Sequence, residues 1–403
     1  MSDSTANPRR PRRRLYASAA ATLACAGALA FGIPTAANAA PAQTVASAYP
    51  GWSNGYGSNG YSSNGYGSNG YGSGGYGSSS YGSPSSVADA TPANADESTG
   101  LVLIDTVLGY QDAAAAGTGM VLTSNGLVLT NNHVVAGSTQ IRVTIASTGE
   151  TYTAKVVGTD AQDDVALLQL QGASGLATVT IDQDAETIGQ AVTAVGNAKG
   201  GGVLLAADGQ IIDLDTTVTT AAEGSAPGET LDGMIQISAD VVSGDSGGAL
   251  LDAQGEVVGM TTAASTGTAN TTAWAIPIED ALAIAKQIVN GDESDGVTIG
   301  YPAFLGVGLA QQSTSPARSR YGTSTSATGA LIAGVYQGTP ADEAGLTGGD
   351  TITAVDGTAV TDASTLSSLL SARNPGDTVT LTWVDASGST RSAAVTLVAG
   401  PVA

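Results

Sequence analysis

Between residues 101 and 290 the chain alternates apolar and polar positions in short runs, each cut off by Gly, Asn, Asp or Ser. This is the pattern of half-buried β-strands. Runs at 117–122 and 127–129 flank Ser124-Asn125-Gly126, and an Asn-Gly pair between apolar runs predicts a hairpin. Runs at 141–146 and 151–157 flank Ser147-Thr148-Gly149. An apolar run begins directly after Asp163-Asp164, and another at 191–195 ends on Gly196-Asn197. Runs at 203–206 and 211–218 flank Asp208-Gly209 and predict a second hairpin. Further runs stand at 234–237, 249–251, 257–262 and 272–276. After Pro277 the period changes. Ala281, Leu282, Ala285, Ile288 and Val289 share one helical face, and Asn290-Gly291 is a stop signal, so 278–290 reads as a helix. Many short strands with turn signals predict a mainly β domain over 101–290, built as a barrel or sandwich.

The flanks differ from this. Residues 1–39 read as an export signal: Arg9, Arg10, Arg12, Arg13 and Arg14 precede an apolar run from Leu15 to Ile33, and Ala37-Asn38-Ala39 offers a small-x-small cleavage site. The run is long enough to span a bilayer, so an uncleaved anchor is the alternative. Residues 40–100 read as a low-complexity Gly/Ser/Tyr/Asn linker. Tyr56, Tyr61, Tyr66, Tyr71, Tyr76 and Tyr81 recur every five residues, and too few apolar groups stand there to offset the entropy of ordering. The linker serves either as a spacer or, through stacking of its tyrosines on glycan, as a cell-wall contact. At the other end, 291–296 is rich in Gly and Asp and reads as a hinge, and 291–403 as a further domain with a polar insert at 311–328.

Composition narrows the chemistry. Cys25 is the only cysteine and lies in the leader, and His133 is the only histidine. A mature chain starting after Ala39 therefore has neither disulfides nor a Cys- or His-based metal site, and no cofactor is expected. The net charge is −22; loss of residues 1–39 removes 5 of 13 basic and 1 of 35 acidic residues, leaving −26. Such a chain repels nucleic acid and anionic lipid.

One stretch carries the signature of nucleophilic chemistry: Ser243-Gly244-Asp245-Ser246-Gly247-Gly248. A serine needs an adjacent base and donors for a developing oxyanion. Ser246 is the candidate nucleophile, with the N–H groups of Gly244 and Ser246 as the oxyanion hole. His133, just past the predicted hairpin strand, is the available base. Asp164 abuts the Val-Ala-Leu-Leu strand and fits better than Asp163 as the carboxylate that orients the imidazole.

The order His, Asp, Ser is that of chymotrypsin-type proteases. Thr130-Asn131-Asn132-His133-Val134-Val135, Asp164-Val165-Ala166-Leu167-Leu168 and Gly244-Asp245-Ser246-Gly247-Gly248 resemble the HtrA/DegP-type serine proteases, with the secreted actinobacterial, PepA-like members as the nearest match. The resemblance extends beyond 291. Phe304-Leu305-Gly306-Val307 resembles the carboxylate-binding loop of PDZ domains, and Gly338-Thr339-Pro340-Ala341, Ala344-Gly345-Leu346 and Gly349-Asp350 continue that pattern. Thr339 is a plausible N-cap, and Leu366, Leu369 and Leu370 share a face of a helix starting near Asp362. The resemblance implies a chymotrypsin-like double β-barrel followed by a PDZ domain, with a disordered N-terminal linker. It further implies an exported endopeptidase acting on unfolded proteins or peptides, a PDZ site for C-terminal peptides at Phe304, Leu305, Gly306 and Val307, and trimeric assembly. A peptide-binding holdase is the competing class.

Two positions depart from the family. Asp245 stands where the family usually has Asn. Asp240, six residues before Ser246, stands where the family has a small residue, while Ser238 occupies the family's usual Asp position. Asp240 either creates a pocket for a basic substrate residue or is a solvent-facing loop carboxylate.

Overall fold

The computed structural model describes residues 90–111, 113–220, 228–264, 272–310 and 328–402. The expected export signal, the linker up to residue 89, and 311–327 of the polar insert lie outside the described residues. A short strand β1 (Thr91–Pro92) opens the described chain.

The first barrel is a closed antiparallel ring of six strands. These are β2 (Leu101–Leu108), β3 (Ala113–Thr123), β4 (Leu127–Thr130), β5 (Gln140–Ile145), β6 (Thr151–Asp160) and β7 (Val165–Leu170). They run in the order β6-β5-β2-β3-β4-β7, and β6 pairs with β7 to close the ring. Closure leaves no free edge within the ring. The predicted hairpin is present: β3 turns into β4 with Gly126 at φ 89 and its N–H on Thr123 O (2.9 Å). A single helical turn, α1 (Asn132–Val135), follows β4, so His133 lies on this helix and not on the strand itself.

The second barrel repeats the arrangement. It consists of β8 (Ala191–Gly196), β9 (Leu205–Thr219), β10 (Thr230–Ile237), β11 (Ala249–Leu251), β12 (Val257–Ala264) and β13 (Ala273–Pro277). Their order is β9-β10-β13-β12-β11-β8, closed by β8–β9. The hairpin expected at Asp208-Gly209 is absent, because β9 runs straight through it. Residues 205–210 of β9 pair with β8, and residues 211–219 pair with β10. Gly209 does not have a positive φ. Its missing Cβ instead makes room for the Ser238–Ala239 backbone, which crosses over it. The linker also ends earlier than residue 100: Thr91 and Pro92 pair with Ala206 and Leu205 of β9, and Gly100 is buried.

Helix α2 (Ile278–Val289) buries Ile278, Ala281, Ala285 and Ile288. They join one cluster with Leu101, Met120, Leu129 and Leu167 of the first barrel and Val195, Met234, Leu251 and Met260 of the second. This shared core sets the two barrels against each other. Residues 291–296 do not behave as a free hinge. Gln287 Nε2 donates to Ser294 O (2.7 Å), and the next strand, β14 (Val297–Ile299), pairs with β6.

The last part of the chain forms its own sheet and core. Strand β15 (Ala303–Phe304) pairs with the final strand β22 (Val398–Ala399). A second sheet contains β16 (Val307–Leu309), β17 (Ala330–Val335), β18 (Thr351–Val355), β20 (Thr378–Val384) and β21 (Thr390–Thr396) in that order, with β19 (Thr358–Ala359) pairing to β18. Two helices accompany it, α3 (Pro340–Glu343) and α4 (Ala363–Ser371). Asp362 caps α4 by accepting from Thr365 N–H (2.7 Å). Thr339 occupies the N-cap position of α3, but its hydroxyl donates backwards to Tyr336 O (2.6 Å) and not into the helix. Among the described residues no helix is long and apolar enough to cross a membrane.

Candidate active site

His133 and Asp164 meet at the rim of the first barrel. Asp164 sits at the start of β7 in the left-handed region (φ 53), a conformation that Asp tolerates better than most residues. That kink turns its carboxylate back toward α1. Oδ1 accepts the His133 backbone N–H (2.9 Å) and Oδ2 lies 2.8 Å from His133 Nδ1. Thr262 Oγ1 of β12 makes a short hydrogen bond to the same Oδ2. Asn131 Nδ2 holds Asp164 O (2.9 Å). Asp164 is 2% exposed and the imidazole 14%, and His133 Nε2 is itself buried, so the pair is largely screened from water. Asp163 is anchored to the preceding strand. Its backbone N–H donates to Asp160 Oδ1 (3.2 Å).

Ser246 lies in the β10–β11 connection. Its peptide oxygen accepts from Thr118 N–H (2.9 Å), and Thr118 Oγ1 donates to Gly244 O (2.8 Å) while accepting from Asn197 N–H (2.8 Å). Thr118 of β3 thus pins the Ser246 loop of the second barrel to the first. Glycine is required at two points. A Cβ on Gly244 (φ 97) would strike Asn197 O, and one on Gly247 (φ 80) would strike Thr118 O. Gly247 N–H and Gly248 N–H bond to Thr261 O and Asp245 O, and Asp245 N–H bonds to Val242 O. Among the described residues the amides of Gly244 and Ser246 have no acceptor. Ser246 Oγ donates to Thr262 O at 3.4 Å.

Asp245 is 7% exposed. One carboxyl oxygen accepts Val242 N–H (2.9 Å), and the other is buried against Gly196 without a partner among the described residues. Burial pushes its pKa up to about 6, opposed only by the Val242 hydrogen bond. Asp240 is half-buried on the same loop, and Ser238 is exposed, its Oγ accepting Gln210 N–H (3.2 Å).

Three residues of this site escaped the sequence reading. Thr118 and Thr262 sit inside apolar strands, where a buried Thr looks like any β-former. Glu229 stands just before β10, with its N–H on Thr220 Oγ1 (3.0 Å). Burial and the negative charges of Asp164 and Asp160 push its carboxyl up to about 7, against the pull of His133.

In the last domain, Leu305 is buried and Gly306 turns at φ 89, where a Cβ would strike Thr339. Leu305 O accepts Ala341 N–H (2.9 Å) and Gly306 O accepts Tyr336 N–H (3.0 Å). Val307 opens the edge strand β16, whose pairing among the described residues is to β17 alone. Phe304 packs against Tyr110 of the β2–β3 connection (5.1 Å between centroids), and both rings meet Tyr336.

Comparison with known proteins agrees with this architecture. Residues 117–260 match the trypsin-like peptidase domain model and residues 303–397 the PDZ domain model. Serine protease PepD of Mycobacterium tuberculosis is 30% identical over 317 residues, covering 74% of this chain and 63% of that protein. A probable periplasmic serine endoprotease DegP-like of Ectopseudomonas mendocina is 33% identical over 276 residues, 66% of this chain and 53% of that protein. The chain therefore spans between half and two thirds of the length of these relatives. The solved HtrA-type protease AlgW with tripeptide is 25% identical, covers 77% of this chain and 98% of that chain, and has a TM-score of 0.43. By these matches residues 117–260 form a trypsin-like peptidase domain and residues 303–397 a PDZ domain, and the chain is similar to serine proteases named PepD and DegP-like.

Proposed function

We propose that the chain is an exported serine endopeptidase that cleaves unfolded proteins through an acyl-enzyme. The observation that carries this reading is the His133–Asp164 pair held beside a serine loop with two uncommitted amides. Ser246 Oγ turns from Thr262 O to the imidazole and attacks a peptide carbonyl, while His133 Nε2 takes its proton. Asp164, bonded at Nδ1, holds the tautomer and stabilises the imidazolium. The oxyanion settles on the Gly244 and Ser246 amides, and His133 returns the proton to the leaving amine. Water then repeats the sequence in reverse on the ester.

Export rests on the Arg-rich leader with its Ala37-Asn38-Ala39 site, and the relatives named periplasmic support an extracytoplasmic setting. The proposed order is leader 1–39, a Tyr-repeat spacer, the peptidase domain and the PDZ domain. Phe304, Leu305, Gly306 and Val307 form the loop that holds a peptide C-terminus, and the open edge of β16 adds the peptide as a strand. Asp240 contributes a preference for Lys or Arg before the scissile bond, since its carboxylate has no hydrogen-bond partner among the described residues and is half-buried.

The deciding experiment is labelling of the full chain by a fluorophosphonate, with Ser246→Ala as control, followed by mapping of cleavage sites in unfolded casein. Labelling lost in Ser246→Ala supports the peptidase, and sites after Lys or Arg support the role of Asp240. A folded wild type that does not label returns the chain to the peptide-binding class. Cleavage only after small apolar residues removes Asp240 from specificity.

A further inference from the structure

We propose that residues 398–402 form a strap that ties the PDZ loop to the helix bearing the candidate base, with Val402 as a positioning residue for His133. The inference rests on the reading of His133 given above. The strap begins in β22, where Val398 and Ala399 pair with Phe304 and Ala303. Gly400 N–H donates to Pro302 O (2.9 Å) and Gly400 packs on the Phe304 side chain. The chain then leaves this sheet and reaches the first barrel. Val402 O accepts Gly137 N–H (2.8 Å), and Val402 N–H donates to Ser138 O (3.1 Å). Its side chain is 4% exposed and joins the first-barrel cluster that contains Val134 and Val135.

Those two valines follow His133 in α1, and Gly137 and Ser138 form the turn that ends it. Helix α1 has only four residues and no side-chain cap. So short a helix has almost no stability of its own, and packing decides where it points. At its start the Asp164 carboxylate holds His133 N–H and Nδ1. At its end the strap holds Gly137 and Ser138. Pro401, with φ fixed by its ring, stiffens the short span between the Phe304 contact and the Val402 contact, so a displacement at one end is passed to the other. At the Phe304 end the packed rings of Tyr110 and Tyr336 add a second link, because Tyr110 belongs to the hairpin whose strand β3 carries Thr118.

The test uses the full chain with Val402→Gly, with Val402→Ile, and with Gly-Gly inserted between Gly400 and Pro401. The readouts are kcat and KM on a short internally quenched peptide, the pH profile of kcat/KM, and hydrogen exchange at the 136–138 amides. Displacement of a base by about an ångström costs up to about 100-fold in rate, so Val402→Gly is expected to lower kcat by about 10- to 100-fold with KM nearly constant. It also moves the acidic limb of the profile and speeds exchange at Gly137 N–H. Val402→Ile restores wild-type behaviour, and the insertion reproduces the defect with Val402 still present. A folded Val402→Gly or insertion variant with wild-type kcat and pH profile overturns the proposal. If Val402→Gly does not fold, the insertion carries the same test. If the wild type itself shows no peptidase activity, the reading of His133 has failed, and unchanged exchange at 136–138 in the insertion variant separately removes the strap.

Discussion

Asp245 is a buried acid beside the candidate nucleophile Ser246, with one oxygen bonded and the other unpartnered among the described residues. Its pKa rises from 3.8 to about 6 on folding. A folded state that holds its proton more tightly than the unfolded one is favoured at low pH. This contribution is complete below pH 3.8, is lost as pH rises toward 6, and is absent above. At about 1.4 kcal/mol per unit, the loss is on the order of 3 kcal/mol. Asp245→Asn keeps an oxygen for Val242 N–H and cannot ionise, so its stability advantage over wild type is expected to grow between pH 4 and pH 7 in chemical denaturation. An advantage independent of pH would show that the carboxyl is solvated. Ser246, His133 and Asp164 could be singled out as candidates because each proposed chemistry demands a particular residue type in a recognisable local setting. Thr262 and Glu229 were not, because their importance comes from what stands opposite them in space, as with Thr262 Oγ1 on Asp164 Oδ2.

At the level of elements, local signals worked where the chain itself makes the turn. Asn125-Gly126 closes β3 onto β4 with the glycine at positive φ. Asp208-Gly209 carries a similar signal and makes no turn, since β9 exchanges partner β8 for β10 there and its glycine accommodates a crossing backbone. A dipeptide cannot report which of these two demands its glycine meets. Strand β12 is read correctly as apolar, yet its last turn inward delivers the hydroxyl that bridges the barrels through Asp164. Thr262→Val removes a hydrogen bond to a charged group while keeping the shape, a loss of about 1.5–3 kcal/mol when the partner is left buried. Turnover is expected to fall by about 10-fold or more, with the fluorophosphonate labelling rate falling in step. An unchanged labelling rate would mean that His133 and its neighbours suffice to orient Asp164.

Across the whole molecule, the two domains share more than a connecting segment. Strand β14 extends the first-barrel sheet, Tyr301 accepts Val156 N–H (3.4 Å), Val402 lies in the first-barrel core, and Tyr110 packs at a tilt against Phe304. Domains coupled in this way are expected to unfold together, so calorimetry of the full chain should give one transition whose calorimetric and van't Hoff enthalpies agree. Two resolved transitions would show that these contacts are too weak to join them. By itself the sequence determined the mainly β class and the helix after Pro277, and it singled out His133, Asp164, Ser246 and the 304–307 loop as candidates, because periodicity, turn chemistry and reactive side chains are written locally. Only the tertiary structure decided the partner exchange within β9, the threonine ties between the barrels and the seating of Val402 against the helix of His133. Each of these is a contact between residues far apart in the chain, and its free energy depends on geometry that no local pattern encodes.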